Sequence, residues 1–423
     1  MKEIRNSEKI DKAFSKIDEF KVISTLRNLI KIPSYTGEES EKGDYLVREL
    51  ERRGLEVVEL WVERPGRRNV VGILRGDGTG KSLMLSAHQD THTCQVEWPE
   101  AHEAVIKDGA VYGVGAGDSM GPMAAMLGAI DAIIRAGIEL KGDLMFCGTV
   151  DEMGHKEGAK VLAESGLNVH YQIAGEPTDL QIGTTGIGKF EVEIRTKGSG
   201  IGIKHYGDRM GARTINAVIS MHKIIQYLLK MAEEDPYFNV THPMLPGKGA
   251  ALNIGPIIGG GTGFADPLRK IGKRAGQHGL AWSPTWCRLR VGCRYWPGQT
   301  SREFMEVLNK WIEKAKAEDP SIEVEVEPYL DGEITPIDVP EDAEIVQILK
   351  RTTKYATGVE SRRRGDPYSL EAPFYERRGI QAVWLGPGVI PKNGFATPQE
   401  HVRIEDVIKA CRIYTATAIE ICA

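Results

Sequence analysis

The spacing of apolar residues along the chain predicts helices that alternate with strands. Apolar positions in residues 9–31 recur every three or four residues, which is typical of an amphipathic helix. The mostly small, apolar residues of 119–136 predict a buried helix. Short apolar or β-branched runs predict five strands, which are Val57–Val62, Asn69–Leu74, Ser82–Ala87, Leu144–Val150 and Val169–Ala174. This alternation is typical of an α/β layer.

The pattern changes near Thr184. Residues 184–198 alternate like a strand with one solvated face, and an amphipathic helix is predicted from about Thr214 to Glu233. The next elements predicted are the strand segment Asn253–Gly261, the strand Cys287–Tyr295, the helix Arg302–Lys316 and the strand Ile322–Pro328. This order predicts an α+β sandwich.

A proline-containing linker after Asp331 leads back to an α/β pattern. The residues after this linker predict a helix over Ala343–Thr357 and a terminal helix from Ile404, with an apolar run over Gln381–Leu385 between them. A chain of 423 residues is too long for one ordinary core. We therefore predict an α/β domain with a mixed sheet flanked by helices, formed by residues 1–184 and 334–423. Residues 185–333 are predicted to form an inserted α+β sandwich.

Composition narrows the class of protein. Hydrophobic residues make up 41% and charged residues 27% of the chain, and the net charge is -5. These values are typical of a globular protein and suggest no nucleic-acid or membrane partner. The first 20 residues lack the apolar core of a signal peptide. The six cysteines are scattered without paired spacing, so we expect reduced thiols and a cytoplasmic location.

Acidic residues and a histidine follow the predicted strands. His88 and Asp90 end the Ser82–Ala87 strand, Glu152 follows Leu144–Val150, and Glu176 follows Val169–Ala174. Asp118 lies among four glycines. Alone, such a histidine is more often structural, the glycines around Asp118 more often mark a tight turn, and each acid more often lies on the solvated surface. The ends of successive strands share one edge of a sheet, which makes a common metal site the better interpretation.

The order of these motifs resembles a metallopeptidase family. Its pattern is matched by HxD, GxGxxDxxG, DE, GEPT, a later histidine, NxGxIxGG and a GPG segment near the end. The family includes glutamate carboxypeptidase, aminoacylase, acetylornithine deacetylase and succinyl-diaminopimelate desuccinylase. The resemblance covers nearly the whole chain. It implies a catalytic α/β domain and an inserted lid domain that often mediates dimerisation.

The resemblance also implies a role for each acid and for the histidine at the strand ends. His88 and Glu176 match ligands of one metal ion, and Asp118 matches a carboxylate that bridges two. Asp90 matches the acid that supports the histidine, since its carboxylate is placed to hold the second ring nitrogen. Glu152 matches the general base that takes a proton from water.

Four residues of the predicted lid match further family positions. His205 matches a transition-state histidine, and Asn253 with the glycines around Gly260 matches a segment that grips a substrate carboxylate. Arg294 matches a lid arginine, although Gly292 stands where the family has an aspartate. An ordinary surface histidine and a structural arginine are the alternatives for His205 and Arg294.

Two departures from the family pattern concern the second metal ion. Met153 stands where the family has a carboxylate, and Ala396 stands where it has a histidine. A thioether suits soft ions, and alanine binds none. We therefore expect one divalent transition metal ion per chain, with Mn or Zn favoured and Co or Fe as alternatives. His92, His155 and His401 are candidates for a rebuilt second site, but their spacing gives no support.

The loss of a second Lewis acid favours a substrate that can hold negative charge itself. Within the family, the pattern is similar to that of enzymes that release ammonia from an activated aromatic amine, converting 5-nitroanthranilate to 5-nitrosalicylate. Hydrolysis of an amide, by a dipeptidase or an N-acyl amino acid deacylase, is the alternative. A non-catalytic binding protein is the alternative of another class. The expected partners are a small substrate with a carboxylate and a second copy of the chain.

Overall fold

The computed structural model describes residues 4–63, 66–93, 96–199, 215–260 and 283–423. These residues divide into two compact units. The first unit consists of Met1–Thr185, Ile337–Asp366 and Leu370–Ala423, and the second consists of Gly186–Pro336 and Pro367–Ser369.

The described strands and helices are numbered in chain order. The strands are β1 (Glu56–Trp61), β2 (Arg68–Leu74), β3 (Leu83–His88), β4 (Val105–Lys107), β5 (Ala110–Tyr112), β6 (Leu144–Thr149), β7 (Tyr171–Ala174), β8 (Ile182–Gly186), β9 (Gly188–Lys197), β10 (Ala251–Gly260), β11 (Trp286–Tyr295), β12 (Glu323–Ile334), β13 (Ile337–Asp338), β14 (Arg363–Asp366), β15 (Gln381–Trp384) and β16 (His401–Arg403). The α-helices are α1 (Ser7–Phe14), α2 (Glu19–Ile30), α3 (Ser40–Arg52), α4 (Gly121–Arg135), α5 (Glu157–Glu164), α6 (Ala217–Glu234), α7 (Ser301–Glu318), α8 (Glu344–Thr357), α9 (Ala372–Glu376) and α10 (Ile404–Cys422).

A mixed sheet forms the centre of the first unit. Its strand order is β1-β2-β6-β3-β7-β15-β8-β13, and β14 pairs with β8. The four central strands β6, β3, β7 and β15 are parallel, whereas β1, β2 and β8 run antiparallel to their neighbours. Every residue of β3, β6 and β7 is buried, which explains their continuous apolar runs. The predicted α/β class with a mixed sheet is confirmed.

Helices cover this sheet, and two of them differ from prediction. The predicted helix over 119–136 is α4, which is buried along nearly its whole length and packs against α2 and α10. Residues 9–31 form two helices rather than one continuous helix. Asp18 is the N-terminal cap of α2, because its side chain accepts a hydrogen bond from the Lys21 N–H. This polar cap separates α2 from α1.

The second unit is a four-stranded antiparallel sheet with two helices. The strand order is β10-β11-β9-β12, and α6 and α7 contribute apolar side chains to the same core as alternate residues of β9 and β11. Thr300 and Glu303 form reciprocal hydrogen bonds at the start of α7, which explains where this helix begins. The arrangement is the α+β sandwich expected from the sequence.

Two further observations concern the cysteines and the helices. Five described cysteines are buried and free of disulfide bonds, namely Cys147, Cys287, Cys293, Cys411 and Cys422. Within the described ranges, no helix combines the length and apolar character needed to cross a bilayer.

A buried lysine of α3 contacts the residue that precedes α4. Lys42 is 1% exposed, and its Nζ lies 3.1 Å from the Met120 sulfur. Burial lowers the pKa of Lys42 from 10.5 to about 7, and nearby Asp90 opposes this only in part. The Lys42 amine therefore binds its proton more tightly in the unfolded chain than in the folded protein. Burial of this charge lowers the stability of the fold by its full amount below about pH 7, and this effect is lost as the pH rises to 10.5.

We predict that Lys42→Met stabilises the protein most at low pH, because methionine removes a charge that is costly to bury. The free energy of unfolding should rise by roughly 3–5 kcal/mol at pH 6 but by only about 1–2 kcal/mol at pH 9.5. Urea unfolding at the two pH values measures this, with the exposed Lys12→Met as control. An equal gain at both values would contradict the assignment.

Candidate metal centre

Three parallel strands bring candidate residues to one edge of the central sheet. His88 is the last residue of β3 and pairs with Thr149, the last residue of β6. Glu152 follows β6 by three residues, and Glu176 follows β7 by two. Because β6, β3 and β7 are adjacent and parallel, their carboxyl ends lie side by side. Both acids and the histidine are buried.

A glycine-rich turn brings Asp118 to the same place. Gly115 has a φ of 75°, and a Cβ there would lie 2.6 Å from the Thr91 side chain. A Cβ on Gly117 would lie 2.4 Å from Asn393. Only glycine fits such close approaches. The turn places the Asp118 Oδ1 atom 3.0 Å from His88 Nε2.

His88, Asp118 and Glu176 form a cluster with the donor types of a metal site. One donor atom of each lies within 4.8 Å of the others, and all three residues are buried. Burial, Asp118 and Glu152 together raise the pKa of Glu176 well above its ordinary value. Carboxylates crowded away from water repel each other, and a divalent cation would relieve this repulsion. The donor set therefore fits a divalent transition metal ion.

The second nitrogen of His88 is held by a backbone group. His88 Nδ1 lies 2.7 Å from the carbonyl oxygen of Asp90, whereas the Asp90 carboxylate is 3.8 Å away. A hydrogen bond from Nδ1–H to the carbonyl leaves Nε2 as the nitrogen that faces Asp118 and that would bind a cation. The expectation that the Asp90 carboxylate makes this bond is wrong, because that carboxylate is engaged elsewhere.

The Asp90 carboxylate instead organises the turn that carries Glu152. Its Oδ1 accepts the Glu152 N–H at 3.0 Å, and its Oδ2 accepts the Met153 N–H at 3.0 Å and the Thr36 hydroxyl at 2.9 Å. A fully buried carboxylate with three donors holds the backbone firmly. The Asp90 carboxylate thus positions Glu152, while the Asp90 backbone carbonyl holds the imidazole.

The acidic residues around His88 also change its pKa. Burial lowers the pKa of His88, but the hydrogen bond with Asp118 and the charges of Asp118, Glu152 and Asp90 outweigh it, so the pKa is raised well above its usual value. A bound cation would compete with this proton for Nε2.

The two positions where the resemblance implies ligands of a second metal ion carry neither a carboxylate nor an imidazole. Met153 offers only its thioether, and Ala396 lies in a left-handed turn with a φ of 60°. Among the described residues, only the group of His88, Asp118 and Glu176 brings three metal-binding side chains together.

The three histidines considered as replacements have other contacts or lie apart. His92 Nε2 lies 2.8 Å from Glu400 Oε2, and its ring contacts Phe395 edge to face. His401 stacks on Tyr112, with ring centroids 5.0 Å apart. Neither these two nor His155 belongs to the described three-ligand group.

The second unit places the predicted substrate-binding residues in two regions. Asn253 pairs with Gly292, and Arg294 lies two residues further along β11, so both residues belong to one end of the β10–β11 pair. Burial lowers the pKa of Arg294. Gly260 pairs with Trp286 at the opposite end, roughly 20 Å from Asn253 along the strand. His205 lies outside the described residues.

Three functional candidates were missed by the sequence reasoning. Lys156 and Glu371 lie buried beside Glu152, and Glu400 lies buried beside His92. Burial and the charge of Glu152 raise the pKa of Glu371 to about 7. The only sequence signal was the spacing of Lys156, four residues after Glu152. Glu371 and Glu400 come close only through long-range folding.

Comparison with known proteins identifies the family. Residues 84–420 match the model of peptidase family M20/M25/M40. The acetylornithine deacetylase of Myxococcus xanthus is 27% identical over 358 residues, which is 83% of each chain. Aminopeptidase PepT from Bacillus cereus is 17% identical, with a TM-score of 0.73 over 96% of this chain and 99% of that chain.

A further solved structure is described as a dinuclear metal-binding peptidase of the M20 family. This YXEP protein of Bacillus subtilis is 15% identical, with a TM-score of 0.67 over 95% of this chain and 97% of its own. At such low identity, the two solved structures establish the shared fold. The family match spans most of the chain, which therefore belongs to peptidase family M20/M25/M40 and is a metal-dependent hydrolase of carbon–nitrogen bonds.

Proposed function

We propose that this hydrolase works with one metal ion, held by His88, Asp118 and Glu176. The observation that carries the proposal is the single three-ligand group among the described residues, in a chain that has Met153 and Ala396 where the resemblance implies ligands of a second ion. Three protein ligands with an open position are typical of a catalytic metal site. Imidazole plus two carboxylates suits Mn or Zn best, with Co or Fe as alternatives.

Glu152 acts as the general base in this proposal. A bound divalent cation contributes Lewis acidity toward water and substrate. Glu152 takes the proton of the attacking water and returns it to the departing nitrogen. Asp90 holds the backbone of Glu152, and the Asp90 carbonyl holds His88 in the tautomer that presents Nε2. The protein thus orients both the base and the ligand before substrate arrives.

We propose an activated aromatic amine with a carboxylate as the substrate, specifically 5-nitroanthranilate. Water oxygen forms a bond to the ring carbon, the carbon–nitrogen bond breaks, and ammonia leaves as 5-nitrosalicylate forms. Negative charge in the intermediate spreads over the ring and the nitro group. Such a substrate makes less demand on a second Lewis acid, which supports it for a site with one ion.

Residues of the second unit are proposed to bind the substrate carboxylate. Asn253 and Arg294 lie at the same end of the β10–β11 pair, and guanidinium and amide groups are well suited to carboxylates. Gly260 and His205 remain proposed contributors, as substrate-binding backbone and transition-state histidine respectively.

Hydrolysis of an N-acyl amino acid or a dipeptide is the second candidate. It is supported by family membership and by the similarity to an acetylornithine deacetylase. The same ligands and base serve this reaction, since water attacks an amide carbonyl instead of a ring carbon.

A paired assay separates the two reactions. We predict that the purified, metal-loaded chain releases ammonia from 5-nitroanthranilate, and does so faster than it releases acetate from N-acetylornithine or cleaves a dipeptide. Ammonia is followed by a coupled enzyme assay and acid release by chromatography. Acid release without ammonia release would establish the second candidate, and neither activity would refute both.

The metal and the base are tested together. We predict that Glu152→Gln lowers turnover about 10²- to 10⁴-fold, because glutamine cannot accept the proton. Metal content should stay at about one ion per chain by mass spectrometry, whereas His88→Ala should lose it. Glu164→Gln, on the exposed end of α5, is the matched control. Full activity in Glu152→Gln, or two ions per chain, would contradict the proposal.

We also propose that two copies associate through the second unit. Val218 and Ile219 of α6 and Ile257 and Ile258 of β10 are 40–53% exposed. A Cβ on Gly259 would lie 2.9 Å from Val218, so the exposed ends of α6 and β10 adjoin. β10 also ends the described sheet and has only β11 beside it. A second copy would cover these apolar side chains and this strand edge.

This association gives a direct prediction for mass in solution. Light scattering of the wild type should give at least two chains per particle. The double change Ile219→Asp and Ile258→Asp should give one chain, because buried aspartates at the interface would be unpaired. Val359→Asp, at an exposed site of the first unit, is the control and should leave the mass unchanged. A monomeric wild type would overturn the proposal.

A further inference from the structure

A buried ammonium group lies against the proposed base. Lys156 is 2% exposed. Its Nζ donates to the Glu152 backbone carbonyl at 2.7 Å and also contacts the Glu152 carboxylate oxygen Oε1. One side chain therefore binds both the backbone and the carboxylate of the same residue.

The turn between β6 and α5 directs Lys156 inward. Lys156 has a φ of 57°, in the left-handed region that non-glycine residues rarely adopt. Its N–H donates to the Asp151 carbonyl at 2.8 Å, and the Asp151 carboxylate accepts the His155 N–H at 2.8 Å. Arg67 binds the other Asp151 oxygen at 2.9 Å. These anchors hold the conformation that carries the ammonium to Glu152.

The surroundings of Lys156 keep it charged. Burial lowers its pKa, but Glu152 first, and then Glu371 and Glu176, outweigh burial, so the pKa is raised. The groups that face Glu152 are thus Lys156, Glu371 and Glu176, together with His88 and Asp90. Lys156 Nζ contacts the carboxylate directly.

We infer that Lys156 is a positioning residue for Glu152, one that fixes the orientation of the carboxylate through Oε1 and stabilises its ionised form. This inference rests on the proposed function of Glu152 as the base. The ammonium keeps its proton throughout, and only Glu152 exchanges protons with the reactants. Without the ammonium, the carboxylate loses both a fixed orientation and a neighbouring positive charge. General-base catalysis depends on both.

The test compares Lys156→Met, which preserves length but removes charge, with Lys156→Ala, which leaves space for a small cation. Lys160→Met, on the helix α5 that follows Lys156, is the matched control. Each variant is assayed as metal-loaded full chain, on the substrate that the wild type hydrolyses in the paired assay. Metal content and thermal unfolding are measured in parallel.

We predict that Lys156→Met lowers kcat about 100-fold while KM changes less than about threefold and metal content stays the same. Added ethylammonium should partly restore kcat to Lys156→Ala in a saturable manner, because it places an ammonium in the vacated space. It should not affect the wild type or Lys160→Met. A Lys156→Met enzyme with wild-type kcat would overturn the inference, and so would loss of kcat in both variants without restoration by ethylammonium.

A double variant separates this inference from the assignment of the base. If Lys156 acts through Glu152, then Glu152→Gln with Lys156→Met should be no slower than Glu152→Gln alone. A further 100-fold loss in the double variant would show that Lys156 acts independently and would overturn the inference. Full activity in Glu152→Gln alone would refute the proposed base instead.

Discussion

The burial of several carboxylates at one sheet edge is the constraint on which the site depends. Asp90, Asp118, Glu152, Glu176 and Glu371 are each at most 8% exposed. Ions removed from water cost several kcal/mol each unless opposite charge or hydrogen bonds compensate. The fold meets this cost in different ways: backbone donors serve Asp90, an ammonium contacts Glu152, burial raises the pKa of Glu371 to about 7, and Asp118 and Glu176 lie with His88 in a group that fits a cation.

Each of these solutions is built on the parallel centre of the sheet. Adjacent strands β6, β3 and β7 end side by side, and His88, Glu152 and Glu176 lie at or within three residues of these strand ends. Asp90 and Asp151 then hold the turn after β6 by accepting backbone N–H groups, which fixes Glu152. Rigid strands and anchored turns give the precision that a catalytic arrangement requires. The loss of one anchor would therefore loosen groups that never touch it.

The chain shares the fold of the family but differs from the family pattern at two residues near the motifs of the metal site. A dinuclear relative shares the architecture, whereas this chain carries Met153 and Ala396 where the resemblance implies ligands. Two contacts lie near the centre: Lys156 Nζ contacts the Glu152 carboxylate, and His92 Nε2 lies 2.8 Å from Glu400 Oε2. Fold similarity alone does not decide chemistry, because the reaction follows from the charges that the site places.

The sequence by itself determined the α/β class, the α+β insertion and the order of metal-site motifs, because hydrophobic periodicity and strand-end positions are local signals. Tertiary structure alone decided that the Asp90 carbonyl holds His88 and that Lys156 reaches Glu152. It also placed Glu371, distant in sequence, beside that pair. Such contacts depend on loop conformation and on which atom of a residue faces inward, and the spacing of residues along the chain predicts neither.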